Sequence, residues 1–150
     1  MPRESLNPSK VWDARSFGYS QVVKVTNAQT VIYVAGQAAV TKDKTFAATD
    51  IEGQARSVFE NIRLCLEAAG ATLADVVAMT VYLLDIDNHK NPVRKVRSEF
   101  FDVGHEPVST MIGVSKFAAD GMLIEVTAIA ALSFDTDSGS RAAVSSEAAS

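Results

Sequence analysis

From Tyr19 the chain alternates apolar and polar positions through YSQVVKVTN, and after the turn residues NAQ it resumes in TVIYVAGQ with β-branched and aromatic side chains. Two period-two runs around a short turn predict a hairpin of two strands. TKDKTFAA then reads as a loop or a short third strand. Thr49 or Asp50 can cap a helix in which Ile51, Ala55, Val58, Phe59, Ile62, Leu66 and Ala69 recur at helical spacing until Gly70 ends the run. A capped turn at Thr72 to Asp75 leads into a strand rich in Val, Met and Tyr. The stretch NHKNPVRKVRSEFFD spaces Val93, Val96 and Phe100 as a second helix does. EPVSTMIGVS follows as a buried strand that Pro107 starts at the lip of a cleft, and GMLIEVTAIAAL supplies the last strand.

The predicted order is β-β-(β)-α-β-α-β-β, an α+β domain in which a β-sheet carries both helices on one face. The opposite face then needs cover. Val31, Tyr33, Val81 and Ile124 or its neighbours make it apolar enough to predict self-association. Residues up to about Ser16 read as an extended arm with Trp12 as the only large anchor. The expected organisation is a single domain over residues 1–134, with the arm at 1–18 and a disordered Ser/Ala-rich tail at 135–150.

The 150 residues, 47% hydrophobic and 21% charged with a formal net charge of -4, fit an ordinary globular domain. Lys and Arg are scattered and outnumbered by Asp and Glu, which argues against nucleic acid as a partner. Cys65 is the only cysteine, so neither an internal disulfide nor a Cys-based zinc site can form. No apolar run at the start reads as a signal peptide and no stretch reaches the length of a membrane span. The expectation is a cytoplasmic protein with no membrane contact.

Motifs for serine hydrolases, NTPases, dinucleotide binding and zincins are all missing. His89 and His105 read as surface residues, with His105 retained as a minor acid-base candidate for its closeness to Pro107. Cys65 reads as a small buried hydrophobe. Glu125 is more informative: in MLIEVTAIA it shares one face with Thr127 among apolar neighbours, and a carboxylate that loses solvation there is suited to exchanging a proton. It reads either as a catalytic group or as an edge-exposed structural glutamate. Tyr19, at the start of a strand, either offers its hydroxyl to a cleft or simply packs.

Taken together, YSQVVKV, VIYVAGQ, QARSVFENIRLCLEAAGATLADVVAMTVYLLD, the FF before Pro107 and GMLIEVTAIA resemble the RidA/YjgF family of small enamine and imine deaminases, from about Tyr19 to Leu132. The resemblance implies a chorismate-mutase-like fold, a homotrimer with intersubunit clefts, a small-molecule substrate and neither metal nor organic cofactor. It places the family glutamate, which positions or activates water, on Glu125 and the cleft tyrosine on Tyr19, with Gly36 lining the pocket.

Three positions depart from the family pattern. Ala35 stands for a serine, Met111 for the cleft cysteine, and Ser109 for the arginine that clamps the substrate carboxylate. A charge-assisted, two-pronged arginine contact is worth about 1.5 to 3 kcal/mol, and a serine hydroxyl does not replace it. Arg94, one turn from Arg97 on the second helix, is a candidate replacement. The resulting expectation is a cofactor-free hydrolase acting on an imine, enamine or related C-N bond, other than archetypal 2-aminoacrylate deamination. Ser109, Thr110 and Tyr19 would hydrogen-bond the ligand, with Met111, Ala35 and Gly36 shaping the site. The alternative is a non-catalytic trimer that binds small metabolites or protects a partner.

Overall fold

The computed structural model of the chain describes residues 3–133; the tail expected from Asp135 lies outside them. Strand β6, Ile124–Ser133, organises the rest, alternating strictly between buried and half-buried positions. Ile124, Val126, Ala128, Ala130 and Leu132 point into the core, while Glu125, Thr127 and Ile129 point the other way. β3, Ala28–Gln37, and β4, Val76–Leu83, flank β6 antiparallel, and β5, Val108–Gly113, forms the edge parallel to β4. A parallel pair needs a crossover, and helix α2, Ile86–Arg97, provides it. Helices α1, Ile51–Ala68, and α2 pack against each other and against the sheet. The fold is α+β with both helices on a mixed sheet, as the patterning predicts.

Helix α1 buries Ala55, Val58, Phe59, Ile62 and Leu66, and the Asp50 carboxylate caps its start by accepting the Gly53 N–H at 3.0 Å. Asp50→Ala is expected to cost about 1 kcal/mol through the lost cap, read as a lower urea midpoint with an unchanged slope. An unchanged midpoint would show that the cap contributes nothing. The turn at Thr72 also holds as expected, with Thr72 and Asp75 forming a reciprocal capping box.

Several expectations need correcting. The predicted hairpin does not pair with itself: β2, Val22–Val25, pairs antiparallel with β1, Arg3–Leu6, and β3 pairs with β6. Alternation says which residues form strands but carries no information about partners, and part of the expected arm is the partner of β2. Of the two readings of the segment after β3, the loop holds: it is a turn closed by an isolated bridge between Val40 and Phe46. Val81 and Ile124 are fully buried under the helices; Thr80, Tyr82 and Glu125, one position away, occupy the open face with exposed Val31 and Tyr33. Cys65 is exposed, because it falls beside the stripe that Ile62 and Leu66 bury. β5 is a partly exposed edge strand, not a buried one. Trp12 is 56% exposed rather than an anchor in the core.

Candidate functional site

The edge position of β5 creates the cleft. Ser20 bridges to Val108 beyond the edge; its backbone N–H donates to Pro107 O at 3.0 Å and its hydroxyl to Glu106 O at 2.8 Å. These bonds hold residues Tyr19 to Gln21 along the start of β5. The short 3-10 turn Arg15–Phe17 then folds over the end of α2. Between them lies a cleft of about 520 Å3, lined in part by Trp12, Tyr19, Arg94, Ser109, Thr110 and Met111.

Arg97, which sequence reasoning treats only as the neighbour of Arg94, is central to this cleft. It is 3% exposed on the inward stripe of α2 with Val93 and Val96. Its guanidinium donates to Ser109 Oγ at 3.1 Å and to the carbonyl of Phe17. Gly18, at φ 75°, makes room for it: a β-carbon there would stand 3.3 Å from Arg97 Nη2, on a backbone conformation that already favours glycine. Burial, and to a lesser extent the charge of Arg94, pushes the Arg97 guanidinium down to about 10, so it stays cationic at neutral pH. Ser109 therefore does not leave its site without a cation, as the sequence suggests; the cation arrives from the helix. The signal that could have found it is an arginine four residues after Val93, on a face that is otherwise apolar.

Arg94 itself lies with its guanidinium 4.8 Å from the centre of the Phe17 ring and donates to Asn91 Oδ1 at 3.1 Å. Trp12 meets Phe17 and Tyr19 edge-to-face, at 5.1 and 6.0 Å between centroids. Aromatic rings thus form one wall of the cleft, and the donors Arg97 and Ser109 sit together. Among the described residues no group of three or more His, Cys, Asp or Glu side chains converges on a point.

The remaining candidates lie elsewhere. Glu125 pairs in register with Tyr82 and projects from the open face of the sheet, whereas Ser109 turns toward α2. Within one chain the two occupy opposite faces. Gly36 lies against Glu125: a β-carbon there would fall 2.0 Å from Glu125 Oε1. The bare backbone of β3 is thus a cradle for the carboxylate, which makes no hydrogen bond to the described residues. Ala35, adjacent on β3, is exposed. The site residues expected from the sequence therefore divide into a cleft group of Tyr19, Arg94, Ser109 and Met111, an open-face group of Ala35, Gly36 and Glu125, and Thr110, which borders the cleft but pairs with Thr80 and so turns its side chain to the open face.

Comparison with known proteins agrees with this architecture. Residues 14–132 match the family described as Endoribonuclease L-PSP. A RutC family protein of Pyrococcus abyssi is 41% identical over 113 residues, 75% of this chain and 84% of that protein. Protein HMF1 of Saccharomyces cerevisiae is 33% identical over 118 residues, 79% of this chain and 87% of that one. The crystal structure of the Rid family protein YyfB from Yersinia pestis superposes with a TM-score of 0.82 at 28% identity, covering 88% of this chain and 100% of that one. RidA from an Antarctic Psychrobacter gives 0.63 at 30% identity, over 76% and 88% of the two chains. The likeness extends through both helices and the whole four-stranded sheet, and the chain belongs to the RidA/YjgF superfamily, the family described as Endoribonuclease L-PSP.

Proposed function

We propose that the protein is a cofactor-free hydrolase that cleaves the C-N bond of an imine or enamine on a small metabolite. It works as a homotrimer in the cytoplasm. The observation that carries this reading is Glu125, a carboxylate that makes no hydrogen bond to the described residues and is held against the bare backbone of Gly36 on the open face of the sheet. The exposed Val31 and Tyr33 on that face invite a second copy. Assembly sets the open face of one copy against the cleft edge of the next, bringing Glu125 to a ligand held at Ser109, Thr110 and Tyr19.

Glu125 then takes a proton from water as the oxygen adds to the imine carbon, giving a carbinolamine. The protonated carboxyl returns that proton to nitrogen; Glu125 then takes the hydroxyl proton of the carbinolamine and passes it to the same nitrogen as the C-N bond breaks, so that ammonia leaves and a carbonyl compound remains. An enamine enters the same route after protonation at carbon. Archetypal 2-aminoacrylate is disfavoured, because the cation reaches the cleft from α2 behind Ser109 rather than from β5 itself.

The test is ammonia release from 2-aminoacrylate generated in situ, from larger enamines of the 2-aminomuconate type, and from neutral imines. Release from the larger or neutral substrates, well above that from 2-aminoacrylate, is expected. Preference for 2-aminoacrylate would overturn the substrate assignment, and no release from any of them would favour a non-catalytic binding trimer. Ser109 and Met111, standing where the family keeps arginine and cysteine, are the observation on that side.

Gly36→Ala provides a second check. The new methyl meets the flexible end of Glu125 rather than backbone, so stability should change by less than about 1 kcal/mol. The carboxylate must move, and turnover should fall at least tenfold. Full activity in this variant would show that the cradle does not position the glutamate.

A further inference from the structure

Three hydroxyls line up across the open face of the sheet. Thr127 on β6 stands directly opposite Thr80 on β4, and Thr80 stands opposite Thr110 on β5. That register puts all three side chains on the face that also carries Glu125. Thr127 and Thr80 are half-buried, and Thr110 is exposed at the sheet edge. The neighbouring row on one side is apolar, formed by Ile129, Ala78 and Val108, and the row on the other is Glu125, Tyr82 and Ile112. The hydroxyls therefore make a polar line that begins beside Glu125 and ends at Thr110, which borders the cleft.

Spacing decides what such a line can hold. Adjacent strands lie about 4.8 Å apart, too far for one hydroxyl to bond the next, because an O–H···O bond spans about 2.5–3.0 Å. Two bonds of about 2.8 Å that meet at one water with a tetrahedral angle span about 4.6 Å, so one water fits between each neighbouring pair. None of the three hydroxyls is hydrogen-bonded to the described residues, and each can both donate and accept. Glu125 lies two residues from Thr127 on the same strand face, about 6.6 Å along β6. Its carboxylate makes no hydrogen bond to the described residues either, and a further water beside Thr127 joins it to the line.

We propose that Thr127, Thr80 and Thr110 hold a row of ordered waters that supplies Glu125 with the water it activates and links it to the cleft edge. The threonines act on Glu125 through water and are positioning residues. Hydrolysis of each imine consumes one water, C=NH and H2O giving C=O and NH3, and a face closed by a second copy needs a route by which that water is replaced. Each hydroxyl accepts one proton as it gives up another, so the row passes protons with no net change in itself. The role in turnover rests on the hydrolase reading; the existence of the water row does not.

Thr80→Val keeps the shape of the side chain and removes the central hydroxyl, whereas Thr80→Ser keeps the hydroxyl. Crystal structures of the wild type and of Thr80→Ser should show waters between Thr127 and residue 80 and between residue 80 and Thr110, about 2.5–3.0 Å from each hydroxyl oxygen. In Thr80→Val both should be gone. In the ammonia-release assay Thr80→Val should lower kcat at least fivefold with KM changed less than twofold, and Thr80→Ser should keep at least half of the wild-type kcat. The urea midpoint of Thr80→Val should stay at the wild-type value or above it, since valine suits a strand, which separates this role from a structural one. Thr127→Val breaks the row at its other end and gives the same readouts should Thr80→Val fail to fold.

Wild-type crystals without waters at these positions, waters that persist in Thr80→Val, or a Thr80→Val protein with full kcat would each overturn the proposal. Wild-type protein that releases ammonia from no substrate removes the hydrolase reading and the supply role with it, while the water row stands or falls on the crystals alone.

Discussion

Glu125→Gln is expected to lower ammonia release by about 10²–10⁴-fold, the usual range for loss of a positioned general acid-base group. Glutamine keeps the shape and volume of the side chain and fits the same space beside Gly36, but it can neither accept a proton from water nor return one to nitrogen. Fold and assembly should therefore be unchanged, because the substitution leaves the core and the cleft untouched. The loss should appear in kcat with little change in KM. A variant that retains half or more of wild-type turnover would remove Glu125 from the chemistry.

The same variant tests whether the site is shared between copies. Within one chain Glu125 and Arg97 lie on opposite faces of the sheet, so the proposed site draws Glu125 from one copy and Arg97 from another. Mixing Glu125→Gln with Arg97→Gln chains, each inactive alone, and allowing the trimers to exchange should rebuild about a quarter of the sites in a symmetric closed oligomer. Recovered activity near that fraction supports the shared site. No recovery, with exchange confirmed by native mass spectrometry, would mean that the groups act within one chain or not together.

Phe59→Ala is expected to be the most damaging single change to stability, at about 3–5 kcal/mol. The ring is fully buried in the middle of α1, 5.4 Å from the Phe100 ring and 6.0 Å, edge-to-face, from Phe101. It joins α1 to the turn that follows α2, and truncation removes apolar burial and two aromatic contacts while leaving a cavity that rigid neighbours on the sheet cannot fill. Urea denaturation at one fixed protein concentration is the measurement, because the proposed assembly would make apparent stability depend on concentration. Phe59→Leu should fall between wild type and alanine. A loss below about 1 kcal/mol for the alanine variant would show that the aromatic cluster is not a principal support of the core.

The helical period of α1, from Ile51 to Leu66, and the alternation of β6 needed only local geometry, since the side chains that bury on each element are set by its own period. Boundaries were legible where a cap marks them, as at Asp50 and in the Thr72 to Asp75 turn. α2 was harder to delimit: it begins at Ile86, before the charged stretch that suggests it, and stops at Arg97, short of the two phenylalanines. Strand partners were not legible. β2 and β3 are adjacent in sequence and alternate alike, yet their partners are β1 and β6, because long-range pairing is decided by what the whole sheet can bury.

The candidate site shows the same division. Glu125 stands out in the sequence as one charged residue in an apolar strand, and Ser109 as a departure from a family pattern. Arg97 does not stand out, because a helix with several basic residues reads as a solvated face. The structure alone turns it inward, since Val93 and Val96 must bury and Arg97 lies on their stripe, with Gly18 and Ser109 receiving its guanidinium.

The order of elements from β2 onward, the α+β class and the chemical types available to the site were determined by the sequence, because period, caps and side-chain chemistry are local properties. Tertiary structure decided which of those groups meet. It set a buried cation behind Ser109 and placed Glu125 on the opposite face of the sheet, since the face a residue occupies depends on strand register and helix packing across the whole domain.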